Sequence, residues 1–130
     1  MKKIRKTKVK DDEFNDFFGV TEYIVNDKYW KRGAIFYFDF GHNEDNVQLF
    51  TLLKITHDRR IPSDSFICDM FTNVEIGEKE AEFFKAQSYS PYDFLFDSYH
   101  KVYLMSEEEY VLFLLQHGLS EHDHQANEGS

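Results

Sequence analysis

Cysteine, proline and long apolar runs are scarce in this chain: its 130 residues include one Cys and two Pro. With Cys68 alone, no internal disulfide can form and nothing points to an oxidising compartment, so a cytoplasmic location is expected. No stretch approaches the ~20 apolar residues of a membrane span. The opening MKKIRKTKVK carries no apolar run behind its charges, so neither a transmembrane helix nor a secretory signal is expected. Pro62 and Pro91 fall at element boundaries, and no internal repeat or low-complexity segment interrupts the chain. Also missing are a glycine-rich phosphate loop, a paired-cysteine zinc pattern, a G-x-S-x-G elbow and an H-E-x-x-H helix. The sequence therefore implies no cofactor and no metal, and the case for an enzyme is thin.

Charge is unevenly missing. Residues 1–10 hold Lys2, Lys3, Arg5, Lys6, Lys8 and Lys10 and no acid; taking these six from the 15 basic residues leaves nine against 24 acidic ones, a body of −15. Such a body repels phosphate backbones and membrane surfaces and attracts basic ones. Direct nucleic-acid binding by the body is not expected. The reading by domains is a basic, solvated N-terminal arm over 1–10, a single domain over 11–118 and a disordered tail over 119–130.

What is abundant is aromatic. Fourteen Phe, eight Tyr and one Trp supply 18% of the residues, more than a core of this size must consume, and such side chains build either cores or interface anchors. DDEFNDFFG predicts a short helix with Phe14, Phe17 and Phe18 on one face, Asp11 or Asp12 capping and Gly19 ending it. VTEYIV reads as a strand closed by Asn26 and Asp27. Two alternating runs joined by GHNEDN then predict an antiparallel hairpin. Phe36, Phe38 and Phe40 share one face and Ile35, Tyr37 and Asp39 the other; in the partner run Leu53 and Ile55 oppose Phe50 and Leu52. With 41–46 as the loop, Asp39 faces Gln48 and His57 faces Trp30. SFICDMFTNVEI supplies a third strand with Phe66, Cys68, Met70 and Val74 inward.

The last third reads as helical. GEKEAEFFKAQ is rich in helix formers, and SPYDFLFDSY opens with Ser90 as cap, Pro91 in the first turn and Asp93 closing a capping box. KVYLM is a short strand. In SEEEYVLFLLQHG, Ser106 caps, Glu109 completes the box and Gly118 stops the helix. From Tyr110 to Leu115 it is apolar nearly all round, which predicts burial on more than one side; a homodimer through helix 107–117 is one way to achieve that. The fold class is α+β: an antiparallel sheet of about four to five strands, meander or hairpin in connection, with helices packed on one face.

Titratable residues gather in two places along the hairpin. Asp39, His42, Glu44 and Asp45 have donors that suit a divalent metal but lack fixed ligand spacing, and an ordinary turn is the simpler reading. His57, Asp58, Arg59, Arg60 and Asp64 near Trp30 offer an anion site, with charge-paired strand ends as its plainer counterpart. His117, His122 and His124 lie at or past the last helix end. Acids interleaved with aromatics point to binding instead. Tyr37, Asp39, Glu44, Asp45, Phe50, Asp93, Phe94, Phe96 and Asp97 are the candidate partner-binding residues, aromatics as anchors and carboxylates steering toward a basic surface. The expected function is that of a non-enzymatic inhibitor or immunity-type protein occupying a basic groove of a partner, such as a nucleic-acid-binding protein whose ligand it imitates in charge. The alternatives are a metal-assisted hydrolase of a phosphate-containing substrate, and a homo-oligomeric regulator using the basic arm on nucleic acid.

Overall fold

In the computed structural model, which describes residues 1–8, 23–60, 65–95 and 101–122, strands dominate. In chain order they are β1 (Lys2–Lys3), β2 (Lys6–Lys8), β3 (Tyr23–Val25), β4 (Ile35–His42), β5 (Gln48–Arg60), β6 (Ser65–Thr72), β7 (Glu82–Tyr89) and β8 (Lys101–Leu104), followed by helix α1 (Glu107–His117). Six form one antiparallel sheet in the order β1-β8-β4-β5-β6-β7, while β2 and β3 pair as a separate two-stranded ladder. The α+β class holds, dominated by its sheet, which has six strands where four or five were expected; in place of several helices on one face, the described residues hold one α-helix.

The alternation in β4 and β5 decides both faces, because successive side chains on a strand point to opposite sides. One face carries Phe36, Phe38, Leu53, Ile55, Phe66 and Cys68 under Ile4, Val25 and Trp30. The other carries Ile35, Tyr37, Phe50, Leu52, Phe71 and Phe83 under Met105 and Tyr110 of the α1 region. Both faces are therefore covered, one by α1 and one by the β2–β3 ladder with its neighbouring turns. Trp30 is the centre of the second cover: its ring lies 4.9 Å from Phe36 and 5.1 Å from Phe66, and its Nε1–H donates to the Val25 carbonyl at 2.8 Å. That bond satisfies the one polar atom of a side chain only 2% exposed.

Several expectations need correction. The segment GEKEAEFFKAQ contributes strand β7 rather than a helix: Phe83 and Phe84 are adjacent, and only a strand sends them to the two covered faces at once. Pairing along the free edge of β6 outweighs the local preference for helix. Among the described residues of SPYDFLFDSY, the expected helix is a single 3-10 turn over Pro91–Phe94, with the Ser90 N–H donating to Asp93 Oδ2 at 2.7 Å as the capping box requires. The hairpin register is shifted by two, Asp39 lying opposite Phe50 and His42 opposite Gln48, with an irregularity between them. Finally, the basic leader is not a separate arm. β1 pairs with β8, Ile4 is 5% exposed in the core, and β2 pairs with β3.

Helix α1 follows its sequence signals closely. Ser106 Oγ accepts from the Glu109 N–H at 3.1 Å, Glu109 Oε1 accepts from the Ser106 N–H at 3.0 Å, and Gly118 ends the helix at φ 63°. Burial on several sides is not observed: Tyr110 is 3% exposed, but Val111, Leu112 and Leu115 are 51%, 54% and 72% exposed. Leu119 packs under the helix and Glu121 accepts from the Tyr110 hydroxyl at 2.6 Å, so the tail begins in contact with the domain. The helix expected over 11–19 lies outside the described residues, as does the tail from 123 on.

Candidate functional site

Two loops leave the same end of the sheet, residues 43–47 between β4 and β5 and residues 73–81 between β6 and β7. Asparagine amides fix both. Asn43 Oδ1 accepts from the N–H groups of Asp45 and Val47, each at 3.0 Å, and its Nδ2 donates across the gap to the Gly77 carbonyl at 2.9 Å. Asn73 is fully buried. Its Oδ1 accepts from the Phe50 N–H at 2.8 Å, and its Nδ2 donates to the carbonyls of Gln48 at 2.9 Å and Glu78 at 3.0 Å. A buried amide with every strong partner in place is a rigid joint, since leaving any of them unmet in the interior is costly.

The joint presents charge. Glu44 and Asp45 on one loop and Glu75, Glu78 and Glu80 on the other are exposed, with Lys79 as the basic residue among them. None of the five carboxylates forms an ion pair among the described residues. Ile76 stands 41% exposed in their midst. Like charges gathered on two anchored loops at one end of the sheet give that end a negative potential, screened by salt because the side chains are exposed.

Beside the 73–81 loop, on the Trp30 face, lies a cleft of about 380 Å³. Thr51 and Thr72, whose hydroxyls bond at 2.9 Å, lie in its floor, and Met70, Phe84, Phe94 and Leu95 supply apolar lining. Phe94 is held by stacking on Phe38 at 5.3 Å and by an edge contact with Tyr89 at 5.4 Å. The carboxylates of Glu75 and Asp93, both exposed, complete the lining. Burial raises the Tyr89 phenol above its ordinary range, and the fields of Cys68, Asp93 and Glu75 push the same way.

The nine sequence candidates separate into groups. Asp93 and Phe94 belong to the cleft, and Glu44 and Asp45 to the acidic loop end. Tyr37 and Phe50, 8% and 4% exposed, stack at 5.5 Å on the opposite face beneath Phe113 of α1, where they serve the core. Asp39 is half-buried and occupied: its Oδ1 accepts from the Gly41 N–H at 2.8 Å and from Gln48 Nε2 at 2.7 Å. Phe96 and Asp97 lie outside the described residues. Sequence reasoning missed Asn43, Asn73 and Glu75. Asn43 sat in a recognisable turn, but Asn73 was hidden at the end of an apolar run, with no signal that its amide would be buried.

Of the clusters weighed for chemistry, the group around His42 does not assemble as a metal site, and the group around His57 is described only in part. Among the described residues, no three His, Cys, Asp or Glu side chains converge as a metal-holding group. Trp30 is in the core and not opposite His57; instead Asp58 Oδ1 accepts from the Arg32 N–H at 2.6 Å. Of Arg59 and Arg60 the strand position alone is described, and Asp64 lies outside. Cys68 is fully buried, and burial followed by the Asp69 carboxylate pushes its thiol up to about 12, the reverse of what a nucleophile needs. No helix among the described residues is long and apolar enough to cross a membrane. Comparison of the chain with protein-family models, with curated proteins and with solved structures finds no match.

Proposed function

We propose that the protein is a non-enzymatic binding module of the inhibitor or immunity type, whose acidic loop end occupies a basic surface of a partner protein. One observation carries the reading: five carboxylates with no ion pair among the described residues stand on two loops anchored by Asn43 and Asn73. A binding surface gains from loops whose backbone is already ordered before contact, because less freedom is then lost on association. The neighbouring cleft adds apolar area where the charges would steer a partner. Groove-binding proteins for nucleic acid carry the complementary basic charge, and imitation of phosphate charge is the mode of action that follows.

Wild type and a variant with Glu75, Glu78 and Glu80 replaced by Gln, each immobilised, test this. A basic partner retained by wild type at low salt, released at high salt and not retained by the variant supports the proposal. Equal retention of the same proteins by both chains removes it.

A second reading, self-association through α1, is favoured by Val111, Leu112 and Leu115, an exposed apolar stripe spaced as one helix face. Sedimentation of wild type against Leu115→Glu separates the two: a dimer that the substitution dissociates supports self-association, and a monomer in both refutes it.

A further inference from the structure

We propose that the cleft beside the 73–81 loop receives an arginine side chain of the partner, with its apolar stem between Phe84, Phe94 and Leu95 and its guanidinium at Glu75 and Asp93. This rests on the acidic binding surface proposed above and assigns its anchor point.

Size, lining and charge agree on that occupant. At about 380 Å³ the cleft falls within the roughly 300–1,000 Å³ common for ligand sites, room enough for a whole arginine side chain. Its lining is mostly apolar, so a ligand charged along its whole length would lose hydration without return. The charged residues lining it are Glu75 and Asp93, both acidic, and no basic side chain lines it among the described residues. The ligand is thus an apolar rod with a cationic head. Lysine and arginine both answer to that description, but the planar guanidinium also stacks on ring faces and pairs with carboxylates through two parallel N–H bonds. The cleft offers rings and carboxylates together, and Phe94 is held in place by Phe38 and Tyr89. One bond already ties Asp93, through Oδ2 to the Ser90 N–H, which orients the carboxylate before anything binds.

The chain carries its own reporters. Its three methionines are Met70 in the cleft, Met105 in the core on the opposite face and Met1 at the β1 edge. Titrating methyl-labelled full-length protein with a short arginine–glycine peptide is expected to shift Met70 saturably and leave Met105 and Met1 in place. The citrulline peptide, which keeps the shape and loses the charge, is expected not to shift Met70, and the lysine peptide to bind more weakly. Glu75→Gln, a change at an exposed side chain, is expected to weaken arginine-peptide binding about tenfold by removing a charge-assisted pair. Equal responses to arginine and citrulline, or tighter binding of lysine, overturn the assignment. Arginine-peptide binding that moves the amides of 43–47 but not Met70 also overturns it while leaving the acidic surface standing. No binding of the arginine peptide at low salt overturns both.

Discussion

Asn73 is the side chain on which the candidate surface depends most. It joins β5 to the 73–81 loop through three bonds made with no solvent exposure. Asn73→Ala leaves one buried N–H and two carbonyls without those partners, and a loss of about 2–4 kcal/mol is expected in denaturant unfolding, where a solvated turn residue would change it by a few tenths. Tyr37 makes the second prediction. Burial first, then the Asp39 carboxylate and Tyr103, hold its phenol up at about 12. A raised acid favours the neutral form in the folded chain, so its contribution is intact below pH 10 and disappears as pH rises toward 12. Unfolding midpoints should fall over that window, by up to about 1.4 kcal/mol per pH unit for each such phenol. Tyr37→Phe should flatten the fall, leaving the part due to Tyr110, Tyr89 and Cys68, all of which burial also raises. An unchanged alkaline profile in the variant would place the effect elsewhere.

Among the elements, α1 is the one whose ends are written most plainly in its residues. Ser106→Ala should cost about 1 kcal/mol and Gly118→Ala a similar amount, the first by orphaning the Glu109 N–H and the second by forcing a Cβ onto a left-handed backbone. Loss of helix signal on heating, followed by circular dichroism, checks both. Caps could be read because they are local chemistry between residues three apart. The alternation of β4 was readable for the same reason, and the two faces it assigned are the two faces observed. β7 was misread because its fate depends on β6, a neighbour that local preference cannot see. Its edge position carries its own protection: Ala86 adopts φ 55° and donates its N–H to Asp69 Oδ1 at 3.0 Å, interrupting the ladder beside Lys85. The candidate site was readable in part. Its acids and Phe94 stood out by composition, whereas the depth of Tyr37 and Phe50 depended on α1 folding over them, a packing decision no spacing encodes.

For the molecule as a whole, the leader changes meaning most. A basic arm in solvent could be altered freely, but Ile4 sits 5% exposed against Val102 and Trp30 and donates its N–H to the Val102 carbonyl at 3.0 Å. Ile4→Ala should cost about 2–4 kcal/mol. A thermal midpoint unmoved by that substitution would restore the solvated arm. The same placement distributes charge: Lys2 and Lys3 lie exposed at the β1 edge, across the sheet order from the β6–β7 loop that carries Glu75, Glu78 and Glu80. A partner attracted to the acids meets few positive charges there, and association should slow as salt screens the attraction.

Pairing of Lys2 with Leu104 has a consequence for biogenesis. During synthesis β1 emerges long before its neighbour exists, so one edge of the sheet must wait, uncovered, until residues 101–104 have left the ribosome. A nascent chain stalled before β8 would offer that unfinished flank to chaperones.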